Sequence, residues 1–288
     1  MNIAIMYEYG SEAWSTPSSL IAEFESRGHH VQRFHLSEVG ISQFMSSDII
    51  WDILLVMDWK GLNFQRLDKQ YMREGMWVVS ETADCPQNFD KHLALADRYH
   101  TLLCPAYDST EKFKALGYDC EFFTHWADTR IYQPSSDIPT IDVVSSRGPG
   151  GSQFLDYMSQ ALGAKFINRN GFMGKDHGRF LASGKIVLQN SRHHEWTRRI
   201  PEAMSVNRLV ITDKLPEHTN VDSLYIDGED YVTYEGVDDC ISKINYYLSN
   251  TAERERIAMN GYTKTIANHT QVQRVDIIIQ KYNEWKRY

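Results

Sequence analysis

The chain has 288 residues, of which 42% are hydrophobic and 24% charged, and its formal net charge is −8. This length suits two medium domains with sizeable cores, and the composition is that of an ordinary soluble globular protein. It contains no run of eighteen apolar residues that could span a membrane, and the apolar stretch at residues 3–7 is too short for a signal peptide.

Charge distribution and cysteine usage narrow the class of protein further. Residues 1–137 hold 11 Lys and Arg against 20 Asp and Glu, which disfavours nucleic acid as a partner, although a local basic groove is compatible with an acidic average. The cysteines at positions 85, 104, 120 and 240 form neither a C-x-x-C pair nor a zinc-type spacing. We therefore expect reduced thiols and a cytoplasmic location.

Short apolar runs alternate with helical patterns through the first half of the chain. The pattern predicts strands at 3–7, 31–34, 53–57, 77–80 and 101–104, and helices at 17–27, 64–74, 88–98 and 109–116. Such alternation is typical of a parallel sheet covered by helices on both faces. It predicts a Rossmann-like domain over residues 1–132.

A second alternation follows a linker at 133–139, which contains two prolines and two serines. It predicts strands at 141–145, 165–167, 186–189 and 209–212, and helices at 152–162, 237–249, 252–267 and 272–285. The expected fold class is therefore α/β, with a second Rossmann-like domain over 138–270 and a C-terminal helix in 271–288.

The segment from Arg198 to Met204 carries the strongest candidate site. Pro201 suits the first position of a helix, so we predict a helix that begins there, with Arg198 and Arg199 before it and Glu202 in its first turn. Guanidinium groups and a helix N-terminus favour phosphate, and a carboxylate accepts paired hydrogen bonds from a ribose diol. The pattern predicts a nucleotide site. The alternative is an amphipathic helix with solvated arginines.

A glycine-rich loop follows the predicted strand at 141–145. Glycines let backbone N–H groups approach an anion, so we predict that this loop binds the phosphates of the nucleotide. The loop matches neither G-x-G-x-x-G nor a P-loop, and a plain turn is the alternative. Its candidate residues are Arg147, Gly148, Gly150, Gly151 and Ser152.

The first domain offers candidates for the acceptor side. The carboxyl ends of parallel strands face the crevice of such a sheet, so Asp84 and Asp58, each near a predicted strand end, are candidate bases, with Asp84 preferred. Each also suits a turn or a helix cap. The other predicted cleft residues, for which a surface turn or simple packing is the alternative, are Gly10, Ser11, Glu12, His125 and Asp128.

Neither a metal nor a cofactor is predicted. The chain lacks the D-x-D pattern that holds a divalent ion on a nucleotide diphosphate. The neighbours His193, His194 and Glu195 do not form H-E-x-x-H, and adjacent side chains on a helix do not share a face.

Several pieces follow Glu202-Ala203-Met204 in a fixed order. They are D-G-E-D-Y-V at 227–232, Y-Y-L at 246–248, E-R-E-R-I-A at 253–258, Gly261 and H-T at 269–270. This order resembles the C-terminal half of the group 1 glycosyltransferases, specifically the spore-maturation-protein-like branch, over residues 185–280.

The resemblance implies the GT-B architecture, in which two Rossmann-like domains face a cleft. It implies that Glu202 binds the ribose hydroxyls and that Arg199 lies near the diphosphate, with Arg198 as the second choice. It also implies that the C-terminal helix crosses back to the first domain, packing through Val275, Ile278, Tyr282 and Trp285.

Two positions depart from the family pattern. The first acid of the family's E-x7-E motif would stand at position 194, which is His194, and relatives carry glycine where this chain has Asn207. Asn207 tolerates the left-handed backbone that such a glycine adopts. The role of the first acid is therefore not assigned.

The resulting prediction is a glycosyltransferase that moves a sugar from a nucleotide diphosphate donor, used as co-substrate, to a hydroxyl acceptor. Metal independence follows from the residues, and retention of configuration is implied by the resemblance alone. The alternatives are a sugar transferase acting on hydroxymethylated bases of DNA and a nucleotide-sugar-binding protein with little catalysis. A Rossmann oxidoreductase is disfavoured, because neither half carries the dinucleotide fingerprint.

Overall fold

The computed structural model describes residues 1–8, 16–57, 75–146, 153–191 and 195–287. The chain divides into two compact units, one formed by Met1–Thr124 with Gln271–Tyr288 and the other by His125–Thr270. Residues 125–132, which were predicted to lie in the first domain, belong to the second unit in this division. Within that unit the backbone N–H of Ala127 donates to the carbonyl of His269, 3.0 Å away, and Ala127 forms a parallel bridge with Thr270.

The first unit is built on a six-stranded parallel sheet in the order β2-β1-β3-β4-β5-β6. Its central strands, at 53–57 and 77–81, are buried along their whole length, as is typical of a parallel sheet covered on both faces. The strands are β1 (Asn2–Tyr7), β2 (His30–His35), β3 (Ile53–Met57), β4 (Trp77–Glu81), β5 (Thr101–Cys104) and β6 (Cys120–Phe122).

Helices α1 (Thr16–Ser26), α2 (Glu38–Met45), α3 (Phe89–Leu93) and α4 (Tyr107–Ala115) accompany this sheet. The helix predicted at 88–98 is wrong in length, because α3 ends at Leu93 and a separate 3₁₀ turn follows at Ala96–Arg98. The helix predicted at 64–74 lies outside the described residues.

Helix α2 and strand β6 were not predicted. The Oγ of Ser37 accepts a hydrogen bond from the backbone N–H of Gly40 and so caps α2. A Cβ at Gly40 would lie 2.0 Å from the carbonyl oxygen of His35, so only glycine allows the helix to pack this closely behind β2.

The second unit has a five-stranded parallel sheet in the order β11-β10-β9-β7-β8. Its strands are β7 (Ile141–Ser145), β8 (Phe166–Asn168), β9 (Gly184–Leu188), β10 (Leu209–Asp213) and β11 (Val232–Tyr234). Its helices are α5 (Gln153–Leu162), α6 (Gly174–Ala182), α7 (Arg199–Ser205), α8 (Val237–Ser249) and α9 (Thr251–Asn268), with 3₁₀ turns at Gly163–Lys165, Glu217–Thr219 and Val221–Ser223. Apolar clusters cover both faces of this sheet. The two parallel α/β sheets confirm the predicted fold class.

The C-terminal helix α10 (Gln271–Trp285) belongs to the first unit and packs beside α1. Three of the four residues predicted for its packing face, Val275, Ile278 and Tyr282, are buried. The fourth, Trp285, is half-buried, with its ring 5.1 Å from that of His100. The predicted return of this helix to the first sheet is therefore confirmed.

Candidate functional site

Glu202 lies inside the second unit, near the start of α7, with only 3% of its surface exposed. The structure corrects the predicted helix start, because α7 begins at Arg199 and Pro201 is its third residue. Proline is tolerated there since the first four N–H groups of a helix lack intrahelical acceptors. The Nε of Arg198 lies 2.9 Å from Oε1 of Glu202. Arg198 therefore neutralises the buried carboxylate from the preceding turn.

A second group of polar side chains meets the other carboxylate oxygen. Nδ1 of His177, on α6, lies 4.0 Å from Oε2 of Glu202 and 2.9 Å from the hydroxyl oxygen of Tyr132. Nε2 of His177 lies 2.8 Å from Oγ of Ser146, the residue that follows β7. The charge of Glu202 also acts on the Tyr132 hydroxyl. Five side chains from four segments thus form one polar cluster around a carboxylate.

The charges in this cluster set the protonation of its members. Burial lowers the pKa of His177, the positive charges of Arg198 and Arg199 lower it further, and the carboxylate of Glu202 opposes them. Burial and the charge of Glu202 raise the pKa of Tyr132, so its hydroxyl keeps its proton. Because its pKa is lowered, His177 is neutral at neutral pH.

Arg199, the predicted diphosphate ligand, is the first residue of α7 and is half-buried. Its charge acts on His177, which places the guanidinium within electrostatic range of the cluster. The structure therefore brings Arg198, Arg199 and Glu202 together. The predicted loop residues Arg147, Gly148, Gly150, Gly151 and Ser152 lie outside the described residues.

The carboxyl ends of β9 and β10 carry polar contacts that were not predicted. The carboxylate of Asp213 accepts hydrogen bonds from the backbone N–H and the hydroxyl of Ser191, at 2.7 and 2.5 Å. The side-chain amide of Asn190 donates to the hydroxyl of Tyr234, which donates to the carbonyl of Gln189. Nε2 of Gln189 is buried and finds no acceptor among the described residues. In the sequence, these residues are marked only by their position at or just after the end of a buried strand, where parallel α/β sheets bind ligands.

The predicted acceptor-side residues fall in different surroundings. Asp84 is exposed and has a positive φ of 55°, in the loop after β4. Glu81, which was not predicted, is buried at the carboxyl end of the same strand. Both stand at the strand edge where ligands of parallel α/β sheets bind. Gly10, Ser11, Glu12 and Asp58 lie outside the described residues.

His125 and Asp128 belong to the second unit. His125 is half-buried, and Asp128 is buried with its carboxylate accepting hydrogen bonds from the backbone N–H and the Nε of Arg130, at 3.0 and 2.9 Å. The carboxylate of Asp128 therefore closes a local turn.

Other sequence expectations concern the backbone, metals and membranes. Asn207 has a φ of 56°, in the left-handed region that asparagine was expected to tolerate at this position. Among the described residues, no group of three or more His, Cys, Asp or Glu side chains is arranged to hold a metal ion. In the same part of the chain, no helix is long and apolar enough to cross a bilayer.

Comparisons with known proteins place this cluster in context. Residues 146–280, which include Ser146, His177 and Glu202, match the family model described as glycosyl transferase-like. No curated protein matches the chain.

Solved structures match almost the whole chain at low sequence identity. A sucrose-phosphate synthase from Thermosynechococcus elongatus superposes with a TM-score of 0.72 at 10% identity, covering 99% of this chain and 98% of that one. HepE from Anabaena, solved in complex with UDP and glucose, gives 0.68 at 13% identity, with 99% and 100% covered. A glycosyltransferase from Rickettsia africae gives 0.64 at 9% identity, with 98% of each chain covered. Residues 146–280 thus match the glycosyl transferase-like family, and the chain as a whole has the GT-B fold.

Proposed function

We propose that this protein is a glycosyltransferase that moves a sugar from a nucleotide diphosphate donor to a hydroxyl acceptor. The observation that carries the proposal is the buried carboxylate of Glu202, paired with Arg198 inside the segment that matches the family model. HepE, a structural neighbour, is solved with UDP-glucose as well as with UDP, which supports a UDP sugar as the donor.

In this mechanism Glu202 accepts hydrogen bonds from the ribose diol and so fixes the nucleotide. A carboxylate oxygen has two acceptor sites, so each oxygen of Glu202 keeps capacity for a hydroxyl after its present partner is counted. Arg199 stabilises the negative charge that develops on the diphosphate as the bond from its oxygen to the anomeric carbon breaks. The acceptor oxygen bonds to that carbon and loses its proton, for which Asp84 is the candidate base.

The proposal also covers the family branch, the stereochemistry of transfer and the role of metals. We place the chain in the spore-maturation-protein-like branch, with retention of configuration and without a catalytic metal. His194 stands at the first acidic position of the family motif, and a nucleotide-sugar-binding protein with little catalysis is the alternative that this change favours. Release of nucleoside diphosphate from a donor in the presence of a simple hydroxyl acceptor distinguishes the two.

Replacing Glu202 with glutamine is expected to weaken UDP binding while leaving the fold intact. Glutamine fills the same volume but loses charge-assisted acceptance from the diol, which corresponds to about a 10- to 150-fold rise in Kd. Calorimetry with UDP and with 2′,3′-dideoxyuridine diphosphate measures the effect, and the wild type should prefer UDP. The exposed Glu255→Gln variant is the matched control. Equal UDP affinity in the Glu202 variant and the wild type would contradict the proposal that Glu202 binds the ribose diol.

Chelation is expected to leave sugar transfer unchanged, because the chain has no D-x-D and arginine charge can stabilise the leaving diphosphate. Initial rates measured with and without EDTA test this. Abolished activity that returns on adding Mg²⁺ or Mn²⁺ would show that a metal is required.

A further inference from the structure

One side-chain amide at the carboxyl edge of the second sheet is buried without an acceptor. Gln189 follows β9 directly and is 5% exposed, and its Nε2 atom meets no acceptor among the described residues. Its backbone groups are paired, because the N–H donates to the carbonyl of Ile211 and the carbonyl accepts from the hydroxyl of Tyr234. An amide that loses water without gaining an acceptor destabilises the folded protein. The side chain of Gln189 therefore points to a role other than stabilising the fold.

The topology of the sheet places Gln189 where parallel α/β sheets bind nucleotides. From β7 the chain first adds β8 on one side and then crosses over to add β9 on the other, so the strand order reverses between β7 and β9. Ligands bind outside the carboxyl ends of the strands at such a switch point. Val144 of β7 pairs with Val187 of β9, and two residues further along this register Ser146 stands beside Gln189. These two residues flank the switch point.

Alternation along the strands identifies the face of the sheet on which Gln189 lies. The valine pair of this register packs into the apolar cluster to which α6 and α7 contribute. Side chains two residues apart on a strand point to the same face, so Ser146 and Gln189 share the face covered by these helices. The hydrogen bond between Ser146 and His177 of α6 agrees with this placement. Gln189 thus lies on the same side of the sheet as the helix that carries Arg199 and Glu202.

We propose that the side-chain amide of Gln189 donates a hydrogen bond to an oxygen of the diphosphate of the donor. This contact rests on the proposed function, since the diphosphate belongs to the nucleotide sugar. In parallel α/β sheets the phosphates of a nucleotide lie at the carboxyl end of the first strand, which in this unit is β7. Phosphate oxygens are strong acceptors, which matches the unused donor of Gln189. Bound diphosphate supplies the acceptor that the described protein groups do not.

The variant Gln189→Met separates binding from a structural role. Methionine is flexible and has no donor, so the free protein should melt at the wild-type temperature or above it, because a buried unpaired amide is removed. Affinity for UDP should nevertheless fall about 10- to 150-fold, the range for one hydrogen bond to a charged group. Thermal melts without ligand and calorimetry with UDP measure the two properties. Gln160→Met, at an exposed position of α5, is the matched control and should change neither.

Three ligands identify the oxygen that accepts from Gln189. Affinities for UDP and for UDP-glucose should fall by the same factor in Gln189→Met. Affinity for uridine, which lacks both phosphates and is measured by competition with UDP, should equal that of the wild type. A loss confined to UDP-glucose would assign the contact to the sugar, and equal losses for all three ligands would indicate a role in packing. Either result would overturn the contact with the diphosphate.

The variant Gln189→Glu tests the direction of the hydrogen bond. Glutamate keeps the shape of the side chain but replaces its donor with a group that accepts and carries the same sign of charge as phosphate. Affinity for UDP should therefore fall further in Gln189→Glu than in Gln189→Met. An affinity equal to that of the wild type would show that the side chain accepts from the ligand, which contradicts donation to a phosphate oxygen.

The outcomes also distinguish this contact from the function on which it rests. If the wild type binds UDP and Glu202→Gln weakens that binding, while Gln189→Met keeps full affinity, the contact from Gln189 is wrong and the proposed function stands. Failure of the wild type to bind UDP would overturn both the proposed donor and the contact with its diphosphate.

Discussion

Replacing Arg199 with alanine is expected to slow sugar transfer by about 2–4 kcal/mol of activation free energy, or about 30- to 800-fold, the cost of losing one donor to a developing anion. Arg199 begins α7, and its charge already acts on the buried cluster around Glu202. Its contribution should appear mainly in kcat, because the diphosphate gains charge as the bond to the sugar breaks. Single-turnover measurements with saturating donor report that step.

Arg198→Ala is the informative comparison. Arg198 pairs with Glu202, so its loss should act through the carboxylate and raise the donor KM, with a smaller effect on turnover than Arg199→Ala. The exposed Arg179, which pairs with Asp176 on α6, gives a matched control that should behave as wild type. Small and equal effects of Arg198→Ala and Arg199→Ala would show that both arginines only form a solvated surface at the start of α7.

Much of the fold could be predicted from the sequence because the central strands contain continuous apolar runs. The buried apolar runs are I-L-L-V-M in β3 and W-V-V at the start of β4. Helix α4 ends at Ala115, within one residue of its predicted end, and Gly117 with its positive φ follows it. Helix α2 was missed since its Gly40 lowers helix propensity, and the reason for that glycine is a tertiary contact.

The candidate site could be predicted only in part. Arg198, Arg199 and Glu202 are neighbours in sequence, so one segment was enough to find them. Tyr132 and His177 are 45 residues apart and meet through the packing of α6, which a local pattern does not encode. The helix start was misplaced by two residues, because proline is tolerated anywhere in a first turn and does not mark its first position alone.

The helix that returns to the first unit provides the other large expected effect. Ile278 and Val275 are fully buried on α10, and the hydroxyl of Tyr282 donates to Asp52, 3.0 Å away. The guanidinium of Arg27 contacts both the carboxylate of Asp276 and the carbonyl of Val272. The Nε of Arg274 donates to the carbonyl of Thr124. The first unit therefore completes its core with residues from the far end of the chain.

Ending the chain after Thr270 is expected to abolish activity and to leave a protein that aggregates through the exposed face of the first unit. The cut after Thr270 keeps the bridge between Ala127 and Thr270 and every other contact within the second unit. Ser146, Tyr132, His177, Arg198 and Glu202 all lie in that unit. Any fraction that stays soluble should therefore still bind UDP. Size-exclusion chromatography and calorimetry measure the two properties.

Point variants test the packing of α10 on the first unit in the full-length chain. Ile278→Ala should lower the free energy of unfolding by about 2–4 kcal/mol, since it leaves a cavity where a large aliphatic side chain was fully buried. Asn283→Ala, at an exposed position of the same helix, should change it by less than about 0.5 kcal/mol. Denaturant unfolding gives both values. Two results together would contradict this role of α10: a truncated protein that is soluble and fully active, and an Ile278 variant as stable as the Asn283 control. The buried contacts of α10 would then contribute nothing to the stability of the first unit.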